Sequence, residues 1–356
     1  MFIYKYNAKK DAFAKKLTGW IKNEYLREIF RCILNFKFCF LEEFIQNYLI
    51  EFKNLEAENL TVVVIPEKNA MSGAIYSFFR LAYYTKKHFH DDAEVLVMTR
   101  TYPTRETYVK QVHFNTDEEV FRFEQITKFK KVKNLTLHIP EYATKDFYKL
   151  INKKTKKYLS QIDNIHINIL NQNINLMPEK EAFADLYKIT SNITQTVAHY
   201  SYCTQEIADK YGLKTFYFNM PQDDSAAPFK TFSEKKDLII YSPDNHPKKD
   251  SILKKLKNEL PEFELIEIKH MRFEKFIKLT SEAKFSITFG EGYDGYFHAP
   301  IIKGGLGLAV YNEKFFPSAE YKEQANVFLS YEDMEENIVN VIKKLNRQKL
   351  LFQASG

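Results

Sequence analysis

The stretch from Ala283 to Asn312 reads AKFSITFGEGYDGYFHAPIIKGGLGLAVYN, and it decides the fold. Phe285 to Phe289 is a short apolar, β-prone run. Gly290, Gly292 and Gly295 follow, with Glu291 between the first two. Residues with room for about two helical turns come next. Gly304, Gly305, Gly307 and a second apolar run, Leu308 to Tyr311, complete the stretch. Strand, glycine loop, helix, glycine turn and strand make a βαβ unit. Six of the chain's ten glycines lie between Gly290 and Gly307. Glycine permits sharp turns and close approach of a ligand to the backbone. A loop entering a helix also presents free N–H groups, which favour phosphate. GEGYDG fits the spacing G-x-G-x-x-G, but it stands near the end of the chain and is not read as a dinucleotide fingerprint.

The same alternation runs outward in both directions. Upstream, Asp237–Tyr241 reads as strand, Ser251–Leu260 as helix, Phe263–Ile268 as strand and Phe273–Ala283 as helix. Downstream, Asn326–Leu329 is a short strand and Tyr331–Leu345 a terminal helix. The first half repeats the architecture without repeating the sequence. Leu60–Ile65 (LTVVVI) is continuous and β-branched, as in a sheet covered on both faces. A polar loop with Ser72 and Gly73 leads from it into a helix, and Glu94–Met98 is the next strand. Strands follow at Leu135–Ile139, Asn164–Leu170, Ile193–Ala198 and Thr215–Asn219. Helices are expected over Lys145–Leu159, Lys180–Ser191 and Gln205–Tyr211, the last stopped by Gly212. Met220–Glu234, with Pro221 and Pro228, reads as a linker. Residues 8–52 look helical and mix lysine and arginine with aromatic and aliphatic side chains. Such a segment suits an anionic membrane surface, or packs on its own domain with a solvated basic face.

Composition sets the outer limits. The chain has 356 residues, 45% hydrophobic, enough for two domains with separate cores. No 18-residue apolar run indicates a membrane span, and the N-terminus lacks a signal-peptide core. Cys32, Cys39 and Cys203 show no metal spacing, so a reduced, cytoplasmic protein is expected. The net charge of +6 suits an anionic ligand or membrane surface. There is no G-x-x-x-x-G-K-[ST], no H-E-x-x-H and no G-x-S-x-G, which argues against a P-loop kinase, a zincin and a hydrolase elbow. Asp223 and Asp224 lie in the polar linker and are discounted as a metal pair.

FGEGYDGYFHAP and IIKGGLGLAVYN resemble the nucleotide-sugar-binding domain of retaining GT-B glycosyltransferases of the glycogen-synthase-like group, where a strand ends in a Glu-Gly-Phe-Gly-type loop. NAMSGAIYSFF and TVAHYSYCTQ loosely resemble segments of that family's first domain. The resemblance covers about residues 60–345. It implies two Rossmann-like α/β domains facing a cleft, after an N-terminal helical segment: 1–52, then an acceptor domain over 53–225, then a nucleotide-sugar domain over 226–356. One position departs. The family carries a second glutamate eight residues after the first, expected to hold the nucleotide ribose. Here that position is Ala299.

Candidate site residues follow from the motifs and from this resemblance. Glu291 can bond a sugar hydroxyl or orient the donor; its bland alternative is stabilisation of a helix N-terminus. Gly292, Tyr293, Asp294 and Gly295 can approach the donor sugar or phosphate, with Asp294 equally suited to cap a helix. The resemblance implies diphosphate binding by Lys248 or Lys249 beside His246, the alternative being a solvated lysine-rich helix start. It suggests base contact for Lys269 and Arg272. His199, at a strand end, can touch donor or acceptor, or serve only the strand end. Ser72 and Gly73 belong to the first cleft loop. The expected activity is metal-independent transfer of a sugar from a nucleotide-sugar donor to a glycan or lipid-linked acceptor in bacterial surface polysaccharide synthesis. No cofactor and no nucleic-acid partner are expected, and contact with the inner face of the membrane is admitted. The alternatives are a sugar-nucleotide epimerase of the same fold and a degenerate, non-catalytic module.

Overall fold

The computed structural model describes residues 39–89, 93–100, 107–219, 227–269 and 271–354, with residues 13, 16–21, 30 and 34. The chain divides into two compact units, Met1–Ala198 with Tyr202–Met220, and His199–Ser201 with Pro221–Gly356. The expected linker centre, with Asp223 and Asp224, lies outside the described residues, as does most of the segment before Cys39.

The first unit begins with helix α1 (Cys39–Tyr48), followed by β1 (Asn59–Ile65), α2 (Gly73–Phe89), β2 (Glu94–Thr99), β3 (Val120–Arg122) and β4 (Asn134–Pro140). Then come α3 (Lys153–Leu159), β5 (Asn164–Asn171), β6 (Ile193–Val197), α4 (Gln205–Tyr211) and β7 (Lys214–Tyr217). The seven strands lie in the order β3-β2-β1-β4-β5-β6-β7, each neighbour parallel. This is the doubly wound order, and it reverses direction between β1 and β4. The unbroken apolar run of β1 follows from its central place: six of its seven residues are buried. Val62 pairs in register with Leu96 on one side and Leu137 on the other. These join Phe121, Phe123 and Phe129 in the core. Along β4–β6 a polar seam replaces apolar packing. Asn168 Nδ2 lies 3.2 Å from His138 Nδ1, Thr194 donates to Asn168 Oδ1 at 3.1 Å, and His166 Nε2 lies 2.8 Å from Thr194 Oγ1. Burial, and then neighbouring His166, push the His138 pKa down to about 4.

The second unit has β8 (Lys236–Tyr241), α5 (Lys249–Glu259), β9 (Glu264–Glu267), α6 (Phe273–Glu282) and β10 (Ala283–Ile287). It continues with α7 (Gly295–Ile302), β11 (Leu306–Val310), β12 (Val327–Phe328) and α8 (Tyr331–Ala354). Its sheet is parallel in the order β12-β11-β10-β8-β9. Counted within the unit this is 2-1-3-4-5, with the reversal between β8 and β10. Ile239, Phe285, Ile287 and Leu308 form the core with Ile252 and Leu256 of α5 and Ile338 and Ile342 of α8. Buried Lys235 donates to the carbonyls of Thr280 and Ser281 at 3.2 and 2.7 Å, which satisfies the last turn of α6.

Two helices expected from the sequence are not continuous. Over Lys145–Leu159 the chain breaks at Ile151, which is extended (φ −77°, ψ 136°), and Asn152 then caps α3 by accepting from Thr155 N at 2.8 Å. Over Lys180–Ser191 only two 3₁₀ turns form, Lys180–Phe183 and Leu186–Lys188. The buried residues there are Phe183 and Leu186, three apart. That spacing seats one 3₁₀ turn but gives no longer apolar stripe for an α-helix. Gly212 does end α4, at φ +66°.

Candidate functional site

Ligands of open parallel sheets bind beyond the carboxyl ends of the strands where the strand order reverses. In the second unit that point lies between β8 and β10. The loops there are bonded to each other: Ser242 N donates to Ile287 O at 2.9 Å, and Phe289 N donates to Ser242 Oγ at 2.9 Å. At Gly290 an added Cβ would lie 2.8 Å from Asp244 Oδ2. Gly292 sits at φ +85°, and its Cβ would lie 2.6 Å from Val310 O. The glycine loop is thus demanded by two close approaches and a left-handed residue. The loop after β8 and the Glu291 loop, predicted separately, come together here.

Asp294 ends the loop and caps α7. Its Oδ1 accepts from Tyr296 N and Phe297 N at 2.9 and 3.1 Å, and its Oδ2 accepts the Thr288 hydroxyl at 2.5 Å. Burial pushes its carboxyl up to about 7, against those three hydrogen bonds and with a small push from Asp244. Burial, then Asp244, also raises Glu291. Glu291 is therefore primed to hold a proton more tightly than an ordinary glutamate. Gly295 opens α7. Tyr293 turns into an aromatic cluster, its ring 4.0 Å from His298 and its hydroxyl 3.2 Å from that of Tyr321.

The basic residues of the β8 loop divide sharply. Lys249 is buried, and its Nζ donates to Ser242 O, Asp244 O and Glu267 Oε1 at 2.9, 3.1 and 3.0 Å. It stitches the loop to β9. Lys248 pairs with Glu335 of α8 at 2.7 Å, which raises the lysine and lowers the glutamate. His246 stacks on Tyr331 with ring centres 3.4 Å apart. Lys269 and Arg272 are exposed on the β9–α6 connection. His199 meets Phe315 edge-on at 5.1 Å. In the first unit, Ser72 Oγ accepts from Ile75 N at 3.1 Å and so starts α2, while Gly73 has open space around it.

A cavity of about 550 Å³ opens at the carboxyl ends of β10, β11 and β12. It is lined by Gly290, Tyr311, Asn312, Glu313, Lys322 and Tyr331, among others. Its volume falls within the range of small-molecule sites. The lining offers two aromatic rings, a carboxylate, an amide and an ammonium, with Lys322 Nζ 4.7 Å from the centre of the Tyr311 ring. Sequence reasoning found the Gly290 rim and missed Glu313, Lys322 and Tyr331. The signal was the position of Glu313 just after the β11 run, where open α/β sheets place binding residues. Ala299 is buried in α7. The adjacent Gly307 brings β11 so close that its Cβ would lie 2.2 Å from Phe297 O.

No family model matches the sequence, and no characterised protein matches it. Solved structures do. An alpha-glucosyltransferase in complex with UDP-glucose and DNA containing an abasic site is 9% identical, with 82% of this chain and 92% of that chain covered at a TM-score of 0.50. An alpha-glucosyltransferase in complex with UDP is 9% identical over 81% of this chain and 90% of that one, TM-score 0.48. A putative UDP-N-acetylglucosamine 2-epimerase from Listeria monocytogenes is 9% identical over 82% and 90%, TM-score 0.42. The first likeness shows the fold: the chain has the α/β architecture of GT-B glycosyltransferases, with two Rossmann-like units.

Proposed function

We propose that this chain is a glycosyltransferase that draws a nucleotide sugar into the 550 Å³ cavity at the carboxyl ends of β10–β12. That cavity, in this fold and beside a sterically required glycine loop, is the observation that carries the reading. The base stacks on Tyr331 or Tyr311. Glu313 supplies the ribose-binding carboxylate that position 299 lacks. Lys322 offsets the charge of the departing diphosphate, without need of a metal. Glu291, next in the chain to Gly290 of the lining, bonds the sugar. Lys249 holds the loop rather than the phosphate, and Lys248 reaches phosphate only by leaving Glu335. Retention, and an acceptor that is a glycan or lipid-linked glycan of a bacterial surface polysaccharide, rest on the sequence resemblance alone.

The test is a melting screen against UDP, GDP, CMP, dTDP and their common sugars. A ligand at about 100 times its dissociation constant adds about 2.7 kcal/mol. One nucleotide class should raise the melting temperature, and Glu313→Ala should abolish the rise. No rise with any nucleotide would end the proposal. An epimerase would convert the bound donor with no acceptor present; a transferase would not.

A further inference from the structure

Lys322 gives the cavity lining its positive charge, yet it stands on an exposed turn. The turn is a 3₁₀ helix, Ala319–Glu323, in the connection between β11 and β12. From Ser318 to Ala325 every residue is exposed except Tyr321, which is half-buried. Tyr321 is thus the one side chain of this stretch that packs inward. A lysine is a point charge on a flexible stem, and its aim depends on where its backbone is held.

Tyr321 is held by aromatic packing and by its hydroxyl. Its ring lies 5.3 Å from those of both Tyr293 and Phe316, and Phe316 lies 5.1 Å from Tyr311. Its hydroxyl is 3.2 Å from that of Tyr293 in the glycine loop. The loop comes this close on steric grounds, since a Cβ on Gly292 would lie 2.8 Å from Phe316 Cε2. Lys322 Nζ then lies over Tyr311, which lines the cavity, whereas neither Tyr293 nor Tyr321 does. Two phenylalanines would fill the same aromatic cluster. The paired hydroxyls add direction to it, because a hydrogen bond is sensitive to distance and angle in a way that burial is not.

We propose that Tyr321 and Tyr293 are positioning residues for Lys322. Their hydroxyl contact ties the turn that carries the ammonium to the glycine loop across the cavity. The ammonium is thereby set towards the diphosphate, while base and ribose are held by other lining residues. The pair acts on phosphate alone and does not itself touch the ligand. The inference rests on the nucleotide-sugar reading of the cavity.

The full chain is titrated calorimetrically with UDP, GDP and dTDP, and with uridine, guanosine and thymidine. Lys322→Met should weaken binding of the diphosphate that the wild type accepts by about tenfold or more. Tyr321→Phe and Tyr293→Phe keep the rings and should each weaken it by about three- to tenfold, with affinity for the nucleoside unchanged. Tyr321→Phe combined with Lys322→Met should bind the diphosphate as Lys322→Met alone does. Equal losses for nucleoside and diphosphate, or additive losses in the double variant, would reduce the pair to a structural contact and overturn the proposal. Diphosphate binding weakened by Lys322→Met but untouched by both phenylalanine variants would overturn it alone and leave the nucleotide reading standing. Failure of the wild type to bind any of the diphosphates would overturn both.

Discussion

Both units are parallel α/β sheets with one reversal of strand order, yet the loops at the two reversals are built differently. In the second unit the loop after β10 carries glycines with no room for a side chain, and Gly307 behind it is equally constrained. In the first unit the loop after β1 ends at Gly73, which has no heavy atom within 4 Å of a would-be Cβ. Similar sheets thus reach similar positions by packing in one case and by helix capping in the other. A glycine in a loop is informative only through its surroundings.

The strongest way to break this contrast is Gly307→Val. Its side chain would strike the Phe297 carbonyl, and a loss of about 3 kcal/mol or more is expected in chemical unfolding. Next comes Lys249→Met, which leaves the carbonyls of Ser242 and Asp244 and the carboxylate of Glu267 without their donor. A loss of about 2–4 kcal/mol is expected. Its neighbour Lys248→Ala should change the melting temperature little, because the Glu335 pair is half-exposed to solvent. Equal effects at the two lysines would refute the division of the β8 loop described above.

Smaller effects follow from pH and separate the units by sign. Asp294 has a folded pKa of about 7 against an ordinary 3.8. Between these values the folded state keeps a proton that the unfolded state has lost. The stability of the wild type relative to Asp294→Asn should therefore fall by up to about 1.4 kcal/mol per pH unit as pH rises from about 4 to about 7. His138 behaves oppositely, with a folded pKa of about 4 against 6.5. Its contribution relative to His138→Gln is fully present above 6.5 and is lost as pH falls towards 4. Unfolding curves at several pH values test both signs. The smallest effect belongs to Gly73→Ala, expected within about 0.5 kcal/mol of wild type or slightly stabilising.

The fold was legible where burial on both faces of a sheet leaves a continuous apolar run, as at Leu60–Ile65, or where glycine spacing marks a turn, as at Gly290–Gly295. It was not legible at β3, because Val120–Arg122 is three residues long and shows no period. The cavity was only half legible. Gly290 announces itself in the sequence, but Glu313, Lys322 and Tyr331 are joined to it by the order β12-β11-β10, which no local pattern encodes. Lys249 was misleading in another way. In sequence it is one of several lysines at a helix start, and only the fold reveals that its ammonium faces backbone carbonyls.

The strand pairing itself has a consequence for how the chain reaches this structure. Each neighbouring pair of named strands is parallel, so none can zip from a tight hairpin. Every pairing must wait until a crossover has closed a long loop, and the closure entropy is met before contacts reward it. Refolding from denaturant is expected to be slow and dependent on protein concentration, with incomplete sheets exposing strand edges to other chains.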